Sequence, residues 1–331
     1  MSFRYKNLYF VIAGGIVAFC AAASYVIYNS SFLNKKQLQE QLESDNPGYH
    51  CRDDQVTFIE KTENGLLIPQ RRPDSSQVYN ALLVYGEDKL KNLSALQRAN
   101  LSFIELDNTA IENLDSLKCI CEKIDYLKLA GNKELNDFHF LKSLKKLETL
   151  HIERSPGFCD TSLIPPAVAK LILSNTGVTK LELNDPGKIE SLYLVDNRNL
   201  KNYEQINEMT NLKELVLSSW NSVSLERFPF LKMISFHNSA IAKLPVIPHN
   251  KLDLVDIYHC DQLKSISSLR GKKIRKLWLI GTDIAGLLPE ILSLDVEEVV
   301  IGDPAVTLSN PFIGKIALRV KKMRLNSMVI K

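Results

Sequence analysis

Few residues in this chain are of types that do chemistry. His237, Tyr258, His259 and Cys260 offer imidazole, phenol and thiol donors, some of the types from which metal sites are built. Their order argues against a shared ion. His259 and Cys260 are adjacent at the end of a strand-like stretch, where neighbours rarely enter one ligand set. Cys260 also occupies a recurring position held elsewhere by small or hydrogen-bonding residues, so it reads as a packed thiol. Cys119-x-Cys121 has two readings: packing beside Leu117 and Ile124, or a disulfide to Cys159 or Cys51. Spacing alone does not decide connectivity. Acid–base chemistry needs paired ionisable groups in one pocket, and only Glu105, Asp107 and Glu153 approach that. No G-x-S-x-G, H-E-x-x-H, P-loop or dinucleotide-binding fingerprint occurs. The expectation is a non-catalytic protein with no metal and no small-molecule cofactor.

A repeating unit positions these residues. Ile274 to Ile284, IRKLWLIGTDI, alternates with period two at its centre. Leu277 and Leu279 thus point one way while Lys276, Trp278 and Ile280 point the other. The pattern recurs roughly every twenty-two residues, a period that means a solenoid. Its second apolar position falls at Leu83 (a weak match), Ile104, Leu127, Leu150, Leu171, Leu192, Leu215, Ile234, Val255, Leu277, Val299 and Met323. Two residues on, a second apolar row runs from Leu106 through Leu129, Ile152, Leu173, Leu194, Leu217, Phe236, Ile257 and Leu279 to Ile301. Three further on come Thr109, Asn132, Ser155, Thr176, Asn197, Trp220, Ser239, Cys260, Thr282 and Pro304. Most of these can hydrogen-bond the turn leaving a strand. Stacked, they would satisfy buried amides and carbonyls that no strand reaches.

This register resembles the leucine-rich-repeat family, L-x-x-L-x-L-x-x-N/C-x-L, over about Val78 to Ile330. The linkers Ile164-Pro165-Pro166 and Leu244-Pro245-Val246-Ile247-Pro248 are similar to those of the bacterial subtype, and proline there suits an extended outer segment. Leu135, Phe138, Leu141, Leu144 and Leu147 have helical spacing instead. The resemblance implies an α/β solenoid, a horseshoe of about ten to twelve repeats. It has a parallel β-sheet on the concave face and mostly irregular or short helical convex segments. It also implies a protein ligand bound on the concave face. The early repeats place charge there, on Glu105, Lys128, His151, Asp107 and Glu153. Later repeats place Ile172, Tyr193, Val195, Val216, His237, Asp256, Tyr258, Trp278 and Ile280 there. A largely apolar, aromatic patch of this kind marks an interaction site, although β-propensity alone also puts such residues on strands. These nine are the candidate partner-binding residues.

From Leu8 to Tyr28 no charged residue occurs, about the twenty residues that cross a bilayer as a helix. Tyr5, Tyr9, Tyr25 and Tyr28 lie near its ends, as interfacial aromatics do. Ala21-Ala22-Ala23 offers a signal-peptide cleavage site, but the apolar run continues to Val26 and Ile27, which favours a retained anchor. The expected order is a short tail at 1–7, one transmembrane signal-anchor helix at 8–28, a juxtamembrane stalk at 29–48, a cap at 49–77 and the solenoid at 78–331. Gln55 to Ile59 and Leu66 to Ile68 flank Glu63-Asn64-Gly65 as a β-hairpin would. The expected location is a bacterial inner membrane with the repeats on the periplasmic side; the alternative is a secreted effector or adhesin with a cleaved leader. A net charge of +3 over 331 residues excludes a general nucleic-acid binder. The basic clusters around Arg270 to Lys276 and Lys315 to Lys331 read as solvated faces.

Overall fold

A computed structural model describes residues 35–52, 55–57, 59–61, 67–69, 80–218, 220, 223–303, 306–326 and 328–330. The expected membrane helix at 8–28 lies outside the described residues. Among the described residues no helix is long and apolar enough to cross a membrane. The chain divides into two compact units, Met1–Gly157 and Phe158–Lys331.

The described part of the first unit starts with helix α1 (Lys35–Asp45), whose Leu38 and Leu42 are fully buried. Asn46 fastens its end. The Asn46 Nδ2 donates to the Leu42 and Asn92 carbonyls at 2.9 and 2.8 Å, and its Oδ1 accepts from the Lys91 and Asn92 amides at 2.8 and 2.7 Å. The stretch read as a stalk therefore ends in a packed helix, because Leu38 and Leu42 present one apolar stripe that finds a partner surface. Strands β1 (Val56–Thr57), β2 (Ile59–Lys61), β3 (Leu67–Pro69), β4 (Ala81–Tyr85), β5 (Phe103–Asp107), β6 (Tyr126–Ala130) and β7 (Thr149–Glu153) follow. β2 and β3 pair antiparallel, as do β1 and β4, while β4 through β7 run parallel.

The second unit holds β8 (Lys170–Ser174), β9 (Ser191–Val195), β10 (Glu214–Leu217), β11 (Met233–His237), β12 (Lys251–Tyr258), β13 (Lys273–Ile280), β14 (Asp295–Gly302), β15 (Lys322–Leu325) and β16 (Met328–Ile330). β8 through β15 pair parallel in sequence order, and β16 turns back antiparallel on β15. The returning segments carry mostly 3₁₀ turns, with short helices α2 (Leu288–Leu292) and α3 (Pro311–Ala317) late in the chain.

Register fixes the core. Ile104, Leu127 and Leu150 share one row in the first unit. Leu171, Leu192, Leu215, Ile234, Val255, Leu277 and Val299 share one in the second. All are fully buried. The first marker needs correction: Leu82, not Leu83, pairs with Ile104, and Leu83 pairs with outward-facing Glu105. The strand reads ALLVY, so no polar alternation separates its two faces and only pairing decides. The helical spacing from Leu135 to Leu147 yields a 3₁₀ turn at His139–Ser143, with all five apolar residues buried.

At eight described strand exits the chain passes through one left-handed residue. Asn108, Gly131, Arg154, Asn175, Asp196, Asn238, His259 and Gly281 have φ between 48 and 64°. Glycine relieves the Cβ strain, and Asn and Asp tolerate it. At Gly281 the neighbouring His259 ring occupies the space a Cβ would need. The next residue along closes the hydrogen bonds. Asn197 Oδ1 accepts from the Thr176 amide at 3.0 Å and its hydroxyl at 2.7 Å, and Asn197 Nδ2 donates to the Leu173 carbonyl at 2.7 Å. Asn132 serves Thr109 and Leu106 in the same way. Replacing Asn197 by Ala strands a buried amide and a buried carbonyl and is expected to cost about 3 kcal/mol, whereas Ser155→Ala, which loses one bond, costs about 1 kcal/mol or less. Urea denaturation checks both, and faster hydrogen exchange at the Thr176 amide locates the damage in Asn197→Ala.

Candidate functional site

All nine candidate residues lie on the outward face of the second unit's sheet, and register brings them together. Ile172, Tyr193, Val216, Ser235, Asp256, Trp278 and Val300 form one row across β8 to β14. His237, Tyr258 and Ile280 form a second row beside it, and Val195 pairs with Ser174 in the same direction. None of the nine is fully exposed. Val216, Asp256 and Tyr258 are buried, and the other six are half-buried. Side chains on strands roughly 4.8 Å apart shelter one another. The large exposed apolar residues stand off this face, Val246 and Leu318 among them.

Tyr193 is held by a closed set of contacts. Its hydroxyl donates to Glu214 Oε2 at 2.7 Å, and the Lys170 ammonium lies 3.6 Å from the same oxygen and 5.1 Å from the Tyr193 ring. Burial drives the Tyr193 phenol far above its usual range, and the Glu214 charge adds to that. His237 stacks on Tyr258 with ring centres 4.4 Å apart, and the His259 ring meets Tyr258 edge-on. Cys260 Sγ donates to the Phe236 carbonyl at 3.3 Å, and its amide donates to Thr282 Oγ1 at 3.0 Å. The thiol thus takes the ladder role its position implies. Among the described residues no three His, Cys, Asp or Glu side chains gather as a metal site would need. Cys51, Cys119, Cys121 and Cys159 are free thiols.

The β11–β13 end of the patch is not closed. Ser235 Oγ donates to Asp256 Oδ2 at 2.8 Å. Asp256 Oδ1, Trp278 Nε1 and His237 Nδ1 are buried without a hydrogen-bond partner. The Lys276 ammonium sits 6.0 Å from the Trp278 ring and pairs with Glu298 at 3.9 Å.

The corresponding face of the first unit holds the acids Glu105, Asp107 and Glu153, and each is engaged. Glu105 accepts from the hydroxyls of Tyr85 and Tyr126 and lies 3.6 Å from the Lys128 ammonium. That ammonium is 5.9 Å from the Tyr85 ring. Arg154 bridges Asp107 and Glu153. Burial alone would raise Glu153, but the His151 hydrogen bond and the Arg154 charge hold it below the usual carboxylate range. Acids so tied down are poor candidates for proton transfer. The charge here is legible in the sequence, but its closure is not, because that involves Tyr85 and Tyr126 on neighbouring strands.

No protein-family sequence profile matches the chain, and no curated protein matches it. Solved structures do align with it, leucine-rich-repeat proteins and bacterial ones among them. An internalin, InlF, of Listeria monocytogenes aligns at 18% identity over 77% of this chain and 78% of its own, with a TM-score of 0.48. Internalin C2 of the same organism aligns at 15% identity over 92% and 100%, with a TM-score of 0.29. A leucine-rich-repeat protein of Leptospira interrogans aligns at 14% identity over 74% and 78%, with a TM-score of 0.28. The chain's own geometry shows the fold: one parallel strand per described coil, zero register offset, and cross-coil hydrogen bonds from Asn132, Asn197, Cys260 and Thr282 behind their strand ends. Each unit has the leucine-rich-repeat fold.

Two groups on the outward face of these repeats titrate in opposite senses. Burial pushes the Asp256 carboxyl from 3.8 up to about 7, against the Ser235 hydrogen bond. Burial pushes the His237 imidazole from 6.5 down to about 4, against the Asp196 charge. A raised acid binds extra protons when folded, so its stabilisation is full below its unfolded pKa and lost as pH rises through its folded one. A depressed histidine does the reverse, and its stabilisation is lost as pH falls from its unfolded to its folded pKa. The two therefore oppose each other between pH 4 and 6.5. Relative to wild type, Asp256→Asn is expected to make the thermal midpoint rise more steeply with pH across that window. His237→Gln is expected to make it fall. Parallel profiles for wild type and both variants would contradict this assignment.

Proposed function

We propose that the outward sheet face of the second unit is a protein-binding surface, and that the chain is a non-catalytic recognition module tethered to a membrane by residues 8–28. The observation that supports it most is contiguity. The nine residues from Ile172 to Ile280 occupy two neighbouring rows on six successive strands, a span of roughly 25 Å. β-propensity explains single aromatic residues on strands. It does not explain why the patch contains a buried acid with an open hydrogen-bonding position. A face this broad, with aromatic anchors amid polar groups, suits a macromolecular partner better than a small molecule. The tether is supported by the uncharged run from Leu8 to Tyr28. The favoured placement puts the repeats across a bacterial inner membrane from the cytosol. A secreted protein with a cleaved leader is the second reading, supported by Ala21-Ala22-Ala23.

Crosslinking followed by affinity capture tests the surface. Trp278→Ser combined with Ile280→Ser is expected to lose partners that wild type retains. Val246→Ser with Leu318→Ser, which alters exposed apolar residues off the face, is expected to keep them. An unchanged partner set in the first variant counts against the surface. N-terminal sequencing of the mature protein tests the tether: retention of residues preceding Ala21 supports it, and a chain starting just after Ala23 replaces it with the secreted reading.

A further inference from the structure

We infer that Asp256 is the receptor for an arginine side chain of the protein partner, taken up between Tyr258 and Trp278. This rests on reading the outward face of the second unit as a protein-binding surface. Asp256 is 3% exposed, yet only Oδ2 has a hydrogen bond, from Ser235. Register defines its surroundings: Ser235 on β11 and Trp278 on β13 are its direct neighbours. Tyr258 stands two residues along on the same face, flanked by His237 and Ile280. Buried polar atoms in folded proteins find partners as a rule. Here Asp256 Oδ1, Trp278 Nε1 and His237 Nδ1 lack them in a single patch.

The first unit contains the filled version of this arrangement. Glu105, 2% exposed, also lies on an outward row. Its register neighbour is Lys128, whose ammonium lies 3.6 Å from the carboxylate and 5.9 Å from the Tyr85 ring. Acid, aromatic ring and cation are all supplied by the chain. At Asp256 the acid and the rings are present, but the register position corresponding to Lys128 holds Trp278. The nearby Lys276 is paired with Glu298. What is missing is a donor, and beside aromatic faces a cationic one. Guanidinium suits the place better than ammonium because it is planar, stacks on rings and is more weakly hydrated. Asp256 Oδ1 is covered in the free protein, so arginine entry requires neighbouring side chains to move aside, and the adjacent Trp278 N–H has no hydrogen bond to lose in doing so.

The test uses the full chain in detergent and reads the indole N–H resonances of Trp278 and Trp220 by NMR. Trp220 donates to the Leu217 carbonyl and serves as the internal reference. The probes are N-acetyl-arginine methylamide and its uncharged citrulline counterpart. The arginine probe is expected to shift the Trp278 resonance saturably. The citrulline probe on wild type, and the arginine probe on Asp256→Asn, are each expected to bind at least about tenfold more weakly. No saturable shift with arginine, or equal affinity for citrulline, overturns the assignment. So does undiminished arginine binding by Asp256→Asn. If the Trp220 resonance shows that the variant is misfolded, the citrulline comparison on wild type decides alone. Should partner capture depend on Trp278 and Ile280 while arginine fails to bind, the surface stands and the arginine site falls. If neither is observed, both fall.

Discussion

The stacking depends on side chains that reach into the turn of the coil before their own. The left-handed exits point backbone amides and carbonyls into an interior where no strand can pair them. Asn132 takes up the Thr109 amide and the Leu106 carbonyl, and Asn197 does the same for Thr176 and Leu173. Left unmade, each such bond would cost roughly 1–3 kcal/mol. Each side chain bonds groups at fixed places in the preceding coil, so the coils stack without offset. A one-residue slip would turn the apolar rows outward and break the ladder together. Late in the chain other residues take over. Cys260 and Thr282 continue the ladder, and Asp303 Oδ2 accepts from the Ile284 amide at 3.2 Å.

Once register is fixed, the outward face has little freedom. Every outward residue gains two lateral neighbours at the sheet spacing, and its chemistry becomes that of its row. A tyrosine beside a glutamate is sequestered, as Tyr193 is by Glu214 and Lys170. An acid beside a lysine is neutralised, as Glu105 is by Lys128. An acid beside a serine and a tryptophan is neither, and that is the position of Asp256.

The core rows and the ladder were legible because one pattern repeats many times, and repetition averages away local ambiguity. Where repetition is lacking, the pattern is ambiguous. ALLVY carries no alternation, so the sequence points to Leu83 where pairing places Leu82. Leu135, Phe138, Leu141, Leu144 and Leu147 are each three apart, a period that serves a 3₁₀ turn as well as an α-helix. The left-handed column was readable and was missed: Asn108, Gly131, Asn175, Asp196, Asn238 and Gly281 all stand one residue before the ladder. The nine outward residues were placed by alternation alone. Their burial was not, because it depends on side-chain orientations shared across three strands. The closures at Glu105 and Tyr193 escaped for the same reason.

A repeat fold is well suited to carrying an unfinished site. Stability in stacked coils is approximately a sum of local and nearest-neighbour contributions. The cost of leaving Asp256 Oδ1 unpaired thus falls on β11 to β13 and is not multiplied through the sheet. Val255 and Ile257, on either side of Asp256 in sequence, are fully buried in the apolar rows and keep the strand in place whatever the acid does. The inward rows hold the backbone while the outward row is left free to vary. Of two buried acids built on the same coil geometry, the one whose neighbours supply a cation is structural. The one whose neighbours supply only rings and a hydroxyl keeps an open hydrogen-bonding position.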